Sequence, residues 1–325
     1  MSIATDKARI EGAKVAIAAA IADKGVTVPN GTKIDGMAEL IASIETGGGS
    51  SYDISASVLA RTNPNPTIDP TVTVIGPHSF FNYENLALDS IPDTITEIGT
   101  YAFNGCKNIT IENLPSGVTS IGDYAFSNSG VKLTSLPLGV TTVNSGMFAG
   151  CVNLTSFNLH SGIISIGYAA FSDCKNLTLS NLPNGITSIG DYAFRNCENL
   201  TLSNLPNGIT SIGTMAFYNC KNITISKLPN NLTEIRSVTF QGCEKITIST
   251  IPANIVTLRQ DAFRNCLGIT NITFEGTPTT LSPYAFRECA NLTDIKVPWA
   301  EGEVAGAPWG ATNATITYNY VSPEV

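Results

Sequence analysis

Residues Leu177 to Phe194 read LTLSNLPNGITSIGDYAF, and Leu200 to Phe217 read LTLSNLPNGITSIGTMAF. These near-copies stand 23 residues apart, and the same phrase extends outward from them in both directions. One phenylalanine marks each return: Phe80, Phe103, Phe126, Phe148, Phe171, Phe194, Phe217, Phe240, Phe263 and Phe286. The step is 23 residues except from Phe126 to Phe148, where it is 22. A fixed period in this range is the mark of a solenoid, in which each coil packs only on its neighbours.

Each coil carries the same apolar positions. Three residues after the phenylalanine comes cysteine, and six after it comes Leu or Ile, as at Cys174 and Leu177. An apolar-Pro pair follows, as in Leu182-Pro183, and then an aliphatic-Gly pair, as in Ile189-Gly190. The LTL and ITSI stretches alternate apolar and polar residues, which predicts short half-buried strands. Leu-Pro-Asn-Gly and Ile-Gly-Asp-Tyr are turns, since Pro fixes φ and Gly permits φ > 0. The Asp-Tyr-Ala-Phe segment is expected to make one helical or 3₁₀ turn that drops Phe and Cys inward. Ten coils stacked at the strand spacing of ~4.8 Å make a rod roughly 45–50 Å long. In the 22-residue step, Ser129 stands in the cysteine place and Val131 in that of Ile109.

Repetition turns most chemistry-bearing residues into scaffold. The eight cysteines, Cys106, Cys151, Cys174, Cys197, Cys220, Cys243, Cys266 and Cys289, share one repeat position. Their side chains point the same way, whereas a disulfide needs facing Cβ atoms ~3.5–4.5 Å apart. They are expected to form a spine of reduced thiols packed as small hydrophobes. Structural zinc uses closely spaced ligand pairs, and here the nearest cysteines are a full coil apart, so no metal is expected. His78 and His160 fall on different faces and read as turn or surface residues. No nucleophile elbow, phosphate loop, dinucleotide fingerprint or zinc-protease motif occurs. Glu97 and Glu234 lie at equivalent turns six coils apart, beyond the reach of a glycosidase pair. The chain is therefore read as non-enzymatic, with no catalytic residue and no cofactor. The recurrent Asn-x-Thr, at Asn108, Asn153, Asn176, Asn199, Asn222 and Asn291, is read as a by-product of the repeat. Its Asn is expected to bond the backbone of its own turn.

Charged residues make up 14% of the chain and the net charge is −8. The surface must then be covered largely by Ser, Thr and Asn. A nucleic-acid partner is excluded, because it would require clustered Lys and Arg. No apolar run approaches the ~20 residues of a membrane span. The stretch Val15 to Ala22 is short and follows Lys7, Arg9, Glu11 and Lys14, so no signal peptide is expected and synthesis is assigned to a cytoplasm.

The outward positions make two ladders. One holds Thr110, Thr155, Thr178, Thr201, Thr224, Thr247, Thr270 and Thr293; the other holds Thr96, Thr119, Thr141, Thr187, Thr210 and Thr233. β-Branched hydroxyl residues suit solvent-facing strands. Such a sheet also offers a surface on which a glycan or another protein could lie. Thr178, Thr201, Thr224 and Thr247 are the candidate contacts, with Phe157, Ile272 and Ile295 expected to break the ladder and face outward.

Both ends depart from the repeat. Residues 1–46 read as a helical adaptor or oligomerisation segment. Asp6 to Lys24 carries Ile10, Ala13, Ile17, Ala20 and Ile21 on one stripe, and Gly25 ends it. Lys33 to Ile44 makes a second helix with Leu40 and Ile41 among its apolar positions. Two short helices bury little alone, so Ile10, Ile17, Ile21, Leu40 and Ile41 are the candidate docking or oligomerisation residues. A homo-oligomer such as a trimer is compatible with this pattern, although two apolar heptads are too few for a coiled coil. Residues 47–69 form a Gly/Ser linker and N-terminal cap, 70–296 the solenoid, and 297–325 a C-terminal cap. Trp299, Trp309, Ile316 and Tyr318 are large enough to cover the open core.

The pattern Ala-Phe-x-x-Cys-x-Asn-Leu-Thr, then Leu-Pro-x-Gly-Ile-Thr-Ser-Ile-Gly, resembles the BspA-type leucine-rich repeats of bacteria over about residues 70–298. This resemblance implies a leucine-rich-repeat solenoid, β-rich with short helical turns, and surface adhesion rather than catalysis. The N-terminal Ala-Lys-x-Ala-Ile-x-x-Ala-Ile-x-x-Lys-Gly-Val-x-Val-Pro-x-Gly-Thr is similar to adaptor segments of phage tail and fibre proteins. The C-terminal Val-Pro-Trp-Ala-Glu-Gly-Glu-Val, with Ala-Pro-Trp-Gly-Ala-Thr, resembles caps on leucine-rich proteins encoded in prophages. Together these imply a binding component of a phage particle or tail-like device, such as a tail fibre. It would sit in the virion, joined to other phage structural proteins through residues 1–46, and contact a host-surface glycan or protein through the solenoid. The alternative is a bacterial cell-surface or secreted BspA-like adhesin.

Overall fold

The computed structural model describes residues 63–321. These form one solenoid whose strands are only two to four residues long and entirely parallel. The first strand edge is built from the ITSI stretch. Val74–Ile75, Glu97–Ile98 and Ser120–Ile121 pair in one sheet. Thr142–Val143, Ser165–Ile166, Ser188–Ile189 and Ser211–Ile212 make a second. Glu234–Ile235, Thr257–Leu258 and Thr280–Leu281 make a third. Every such pair joins residues one repeat apart, as in Ile166↔Ile189, so sequence period and strand register coincide. The aliphatic residue of each pair points inward, which a one-residue slip would reverse.

The LTL stretch is less regular than its alternation suggests. It forms named strands only toward the C-terminal end, at Thr250–Ile251, Asn271–Phe274 and Asp294–Lys296, to which Thr315–Thr317 adds. In the middle coils only the isolated bridges Ser135↔Asn158 and Ser156↔Thr178 appear.

The helical turn expected around each phenylalanine does not form, and no helix occurs among the described residues. The backbone shows why. Two residues before the phenylalanine, φ is positive at His78, Tyr101, Tyr124, Tyr192 and Met215, and two after it at Asn82, Asn128, Asn196 and Asn219. A right-handed helix cannot contain alternating left-handed residues. Instead the N–H groups divide their work. Those of Tyr192, Phe194 and Asn196 reach the next coil, at Thr214 O, Ala216 O and Tyr218 O (2.7–2.9 Å). Those of Arg195 and Cys197 close tight turns on Tyr192 O and Phe194 O (both 3.0 Å). The segment is a stacked series of turns that satisfies its backbone across coils, as a sheet does.

Inside, the ten phenylalanines form one continuous stack. Ring centroids lie 5.1 Å apart from Phe80 to Phe103 and 5.4–5.8 Å apart thereafter, and the planes stay within 18° of parallel. Offset stacking of this kind adds about 0.5–1.5 kcal/mol per pair beyond area burial. At the C-terminal end the stack meets Phe274, Trp299 and Trp309. Phe274 lies 5.2 Å from Trp299 and 6.1 Å from Trp309, and both tryptophans are buried.

Candidate binding surface

All eight cysteines are buried thiols outside any disulfide, and none is placed to act as a nucleophile. Each Sγ–H donates to the carbonyl of the preceding coil's phenylalanine, as in Cys197 to Phe171 (3.0 Å) and Cys289 to Phe263 (2.9 Å). Burial pushes the thiols up, to about 11 at Cys151 and Cys289, and well above the ordinary 9.0 at Cys174, Cys197, Cys243 and Cys266. His78 stacks on Tyr101 (5.1 Å, 13°). His160 faces Pro137 O through Nε2 (3.1 Å) and accepts from Gly162 N–H through Nδ1 (3.2 Å). Glu234 pairs with Arg236 (3.6 Å) and with Arg259. Among the described residues no group of three or more His, Cys, Asp or Glu converges to hold a metal ion.

The threonine ladder stands where the repeat places it. Thr178, Thr201, Thr224 and Thr247 are all exposed. Their coils are held from behind by backbone bonds such as Thr224 N–H to Leu202 O (2.8 Å), so the row has a firm base. Some hydroxyls turn back to the scaffold: Thr178 Oγ1 donates to Thr155 O at 3.3 Å.

Phe157, Ile272 and Ile295 do not face outward. They are 4%, 0% and 0% exposed. Phe157 packs edge-on against Phe148 and Phe171 at 5.5 and 5.7 Å, while Ile272 and Ile295 are register partners inside the sheet. In these coils two successive polar residues precede the apolar one, the exposed Thr155-Ser156 and Thr270-Asn271 and the exposed Thr293 with half-buried Asp294, so the next apolar residue returns inward. The alternation is reset before these residues: the strands Asn271–Phe274 and Asp294–Lys296 begin one residue after the ladder threonine and alternate from there.

The outward apolar residues are others, among them Leu138, Ile164, Tyr168 and Val256, exposed by 79%, 52%, 49% and 40%. Two were legible, since Ile164 and Val256 replace threonine in the second ladder. The Asn-x-Thr asparagines also differ from expectation. Asn176, Asn222 and Asn291 donate to Val152 O, Glu198 O and Leu267 O at 2.8–2.9 Å, each in the coil before rather than in their own turn. The docking residues Ile10, Ile17, Ile21, Leu40 and Ile41 lie outside the described residues, as does the remainder of the 1–46 segment.

The BspA type leucine-rich repeat model, in 6 copies, matches residues 54–178 and 165–293. The chain belongs to the BspA-type leucine-rich repeat family. Among solved structures, it is similar to a leucine-rich repeat protein from Bacteroides ovatus, with 21% identity over 80% of this chain and 84% of that one (TM-score 0.44). It is also similar to a leucine rich cell surface protein from Faecalibacterium prausnitzii, with 25% identity over 77% of this chain and 91% of that one (TM-score 0.39). A third likeness is the pneumococcal vaccine antigen PcpA, at 17% identity over 77% and 72% of the two chains (TM-score 0.41). No curated protein matches the chain by sequence.

Proposed function

We propose that this BspA-type chain is a non-enzymatic binding protein acting at a bacterial cell surface, as an adhesin. One observation carries the reading: a matched family repeat that presents the same small hydroxyl and amide side chains outward in coil after coil. The interior bonds of each coil are spent on its neighbours, which leaves a firm, repetitive surface suited to an extended or multivalent partner. The candidate contacts are Thr178, Thr201, Thr224 and Thr247, joined by the exposed Ile164 and Tyr168.

The test is saturable attachment of the purified full chain to epithelial cells and to immobilised extracellular matrix, with surface labelling of the producing cells. Attachment weakened at least tenfold by T201K/T224K, with the chain accessible on intact cells, supports the reading. Absence of saturable attachment to either would sink it. A second reading places the chain in a phage particle, docked to other phage structural proteins through residues 1–46. Its support is the sequence pattern of that segment. An antibody against the solenoid separates the two, because it would label purified virions in one case and cell envelopes in the other.

A further inference from the structure

The Leu-Pro-Asn-Gly turns line a groove of about 390 Å³ that crosses three successive coils. Asn184 and Asn207 stand on it at one repeat position, each followed by glycine. An asparagine before glycine is open to attack by its own main chain, because glycine has no Cβ to shield its nitrogen. Asn184, Gly185 and Asn207 are exposed, and Gly208 is half-buried. Among the described residues, no hydrogen bond holds the Asn184 or Asn207 side chain, or the Gly185 or Gly208 N–H. Each turn is closed by one backbone bond, Ile186 N–H to Pro183 O (3.1 Å) or Ile209 N–H to Pro206 O (3.2 Å). The same pair at Asn104-Gly105 is held differently. Gly105 is buried with φ at +75°, and its N–H donates to Ser127 O in the next coil at 2.8 Å. Asn104 N–H and Cys106 N–H close turns on Tyr101 O and Phe103 O (both 3.2 Å). The Gly105 nitrogen therefore cannot turn toward the asparagine side chain without breaking the contact between coils.

We propose that Asn184 and Asn207 are sites of self-modification, at which each asparagine cyclises with the glycine that follows and opens to aspartate or isoaspartate. The Gly185 nitrogen gives its proton to water and bonds to Asn184 Cγ, and Nδ2 leaves as ammonia. Water then opens the cyclic imide. Breaking the new Cγ–N bond gives aspartate, and breaking the bond from nitrogen to the main-chain carbonyl gives isoaspartate. Asn207 and Gly208 follow the same course. The net reaction is hydrolysis of one side-chain amide, with water as the co-reactant and no change of oxidation state. Each event replaces a group that both donates and accepts by a carboxylate that only accepts. It brings negative charge to a groove that no carboxylate lines, in a chain already at −8. The two positions lie in successive coils, so the change falls twice on one face. Isoaspartate also routes the main chain through the side-chain carbon, which lengthens the turn by one backbone atom.

The experiment holds the folded full chain in warm, mildly alkaline buffer and follows its peptides by mass spectrometry, with fragmentation to locate each change. The peptides carrying Asn184 and Asn207 are expected to gain ~1 Da each, part of it as isoaspartate, at least tenfold faster than the peptide carrying Asn104. Asn30-Gly31 lies outside the described residues and is read on its own peptide. In urea-denatured chain Asn104 is expected to convert as fast as the other two, since its protection lies in the fold. In Gly185→Ala and Gly208→Ala the added Cβ would lie 3.4 and 3.5 Å from its nearest neighbour, so the turns are kept. Each variant is expected to slow its own site at least tenfold. Unchanged Asn184 and Asn207, conversion of native Asn104 as fast as theirs, or rates that the alanine variants leave unaltered would each overturn the proposal.

Discussion

Each cysteine thiol donates to a phenylalanine carbonyl 25 or 26 residues earlier, so at the residue scale the cysteine both fills the core and ties adjacent coils. Burial then holds the proton on sulfur. With the Cys151 and Cys289 thiols pushed up to about 11, the thiolate fraction at pH 8 is about one in a thousand. The native chain is expected to resist a thiol reagent at pH 8, with eight thiols reacting only after denaturation. Rapid native labelling of any described cysteine would refute this. The same shift sets a pH limit. Thiols raised in the folded state contribute their full stability below the unfolded value, 9.0, and lose it as pH climbs through 11. The melting temperature should therefore fall between pH 9 and 11, measured by thermal scans, and a C197A chain should show a shallower fall. The thiols' inertness was legible in the sequence, because eight cysteines at one repeat position cannot face each other. Their hydrogen bonds were not, since the acceptor is in another coil and depends on how the coils are offset.

At the scale of the element, the residue after each inward aliphatic sets how closely coils approach along the strand edge, although Arg259 and Ser282 hold this place without breaking the pairing. Where that residue is glycine, coils approach closely: a Cβ on Gly122 would come within 2.4 Å of Thr100 N, and one on Gly213 within 2.3 Å of Asp191 N. The pairing breaks twice, between Ser120–Ile121 and Thr142–Val143 and between Ser211–Ile212 and Glu234–Ile235. At both breaks a side chain first replaces that glycine, as Asn144 and Arg236. Asn144 mends its break in part, since its Nδ2 donates to Ile121 O at 2.6 Å where a glycine N–H elsewhere does so. Arg236 reaches across to Asp191 at 3.6 Å. Gly213→Ala is expected to open a third break and cost about 1–3 kcal/mol. Gly185→Ala, whose Cβ would sit 3.4 Å from its nearest neighbour, is expected to be neutral or slightly stabilising. Urea denaturation of the two variants decides it, and equal shifts would show that close approach is not what this glycine provides. The sequence marked glycine as a turn residue. Its role in close packing of coils emerged only when the neighbouring backbone was in place.

Across the whole molecule, the phenylalanine stack makes one core from many small coils, yet each coil packs mainly on its neighbours, with Arg236 to Asp191 a contact across two coils. Stability should then be local and propagate from the ends. Trp309 is fully buried at the C-terminal end, with its Nε1–H donating to Ala305 O at 2.9 Å. Trp309→Ala is expected to cost about 3–5 kcal/mol and to fray the last coils. Hydrogen exchange should quicken from about Phe263 onward while the coils around Phe194 stay protected; uniform loss of protection would instead indicate all-or-none unfolding. The sequence alone determined the solenoid, the inward ladder of Phe, Cys and aliphatics, and the outward threonines, because one period links every position to its copies. Tertiary structure decided the rest: the left-handed turns in place of a helix, the burial of Phe157, Ile272 and Ile295, the two breaks and the asparagine groove. Each of these depends on what the preceding coil places opposite a residue, and a period states only that a coil is there.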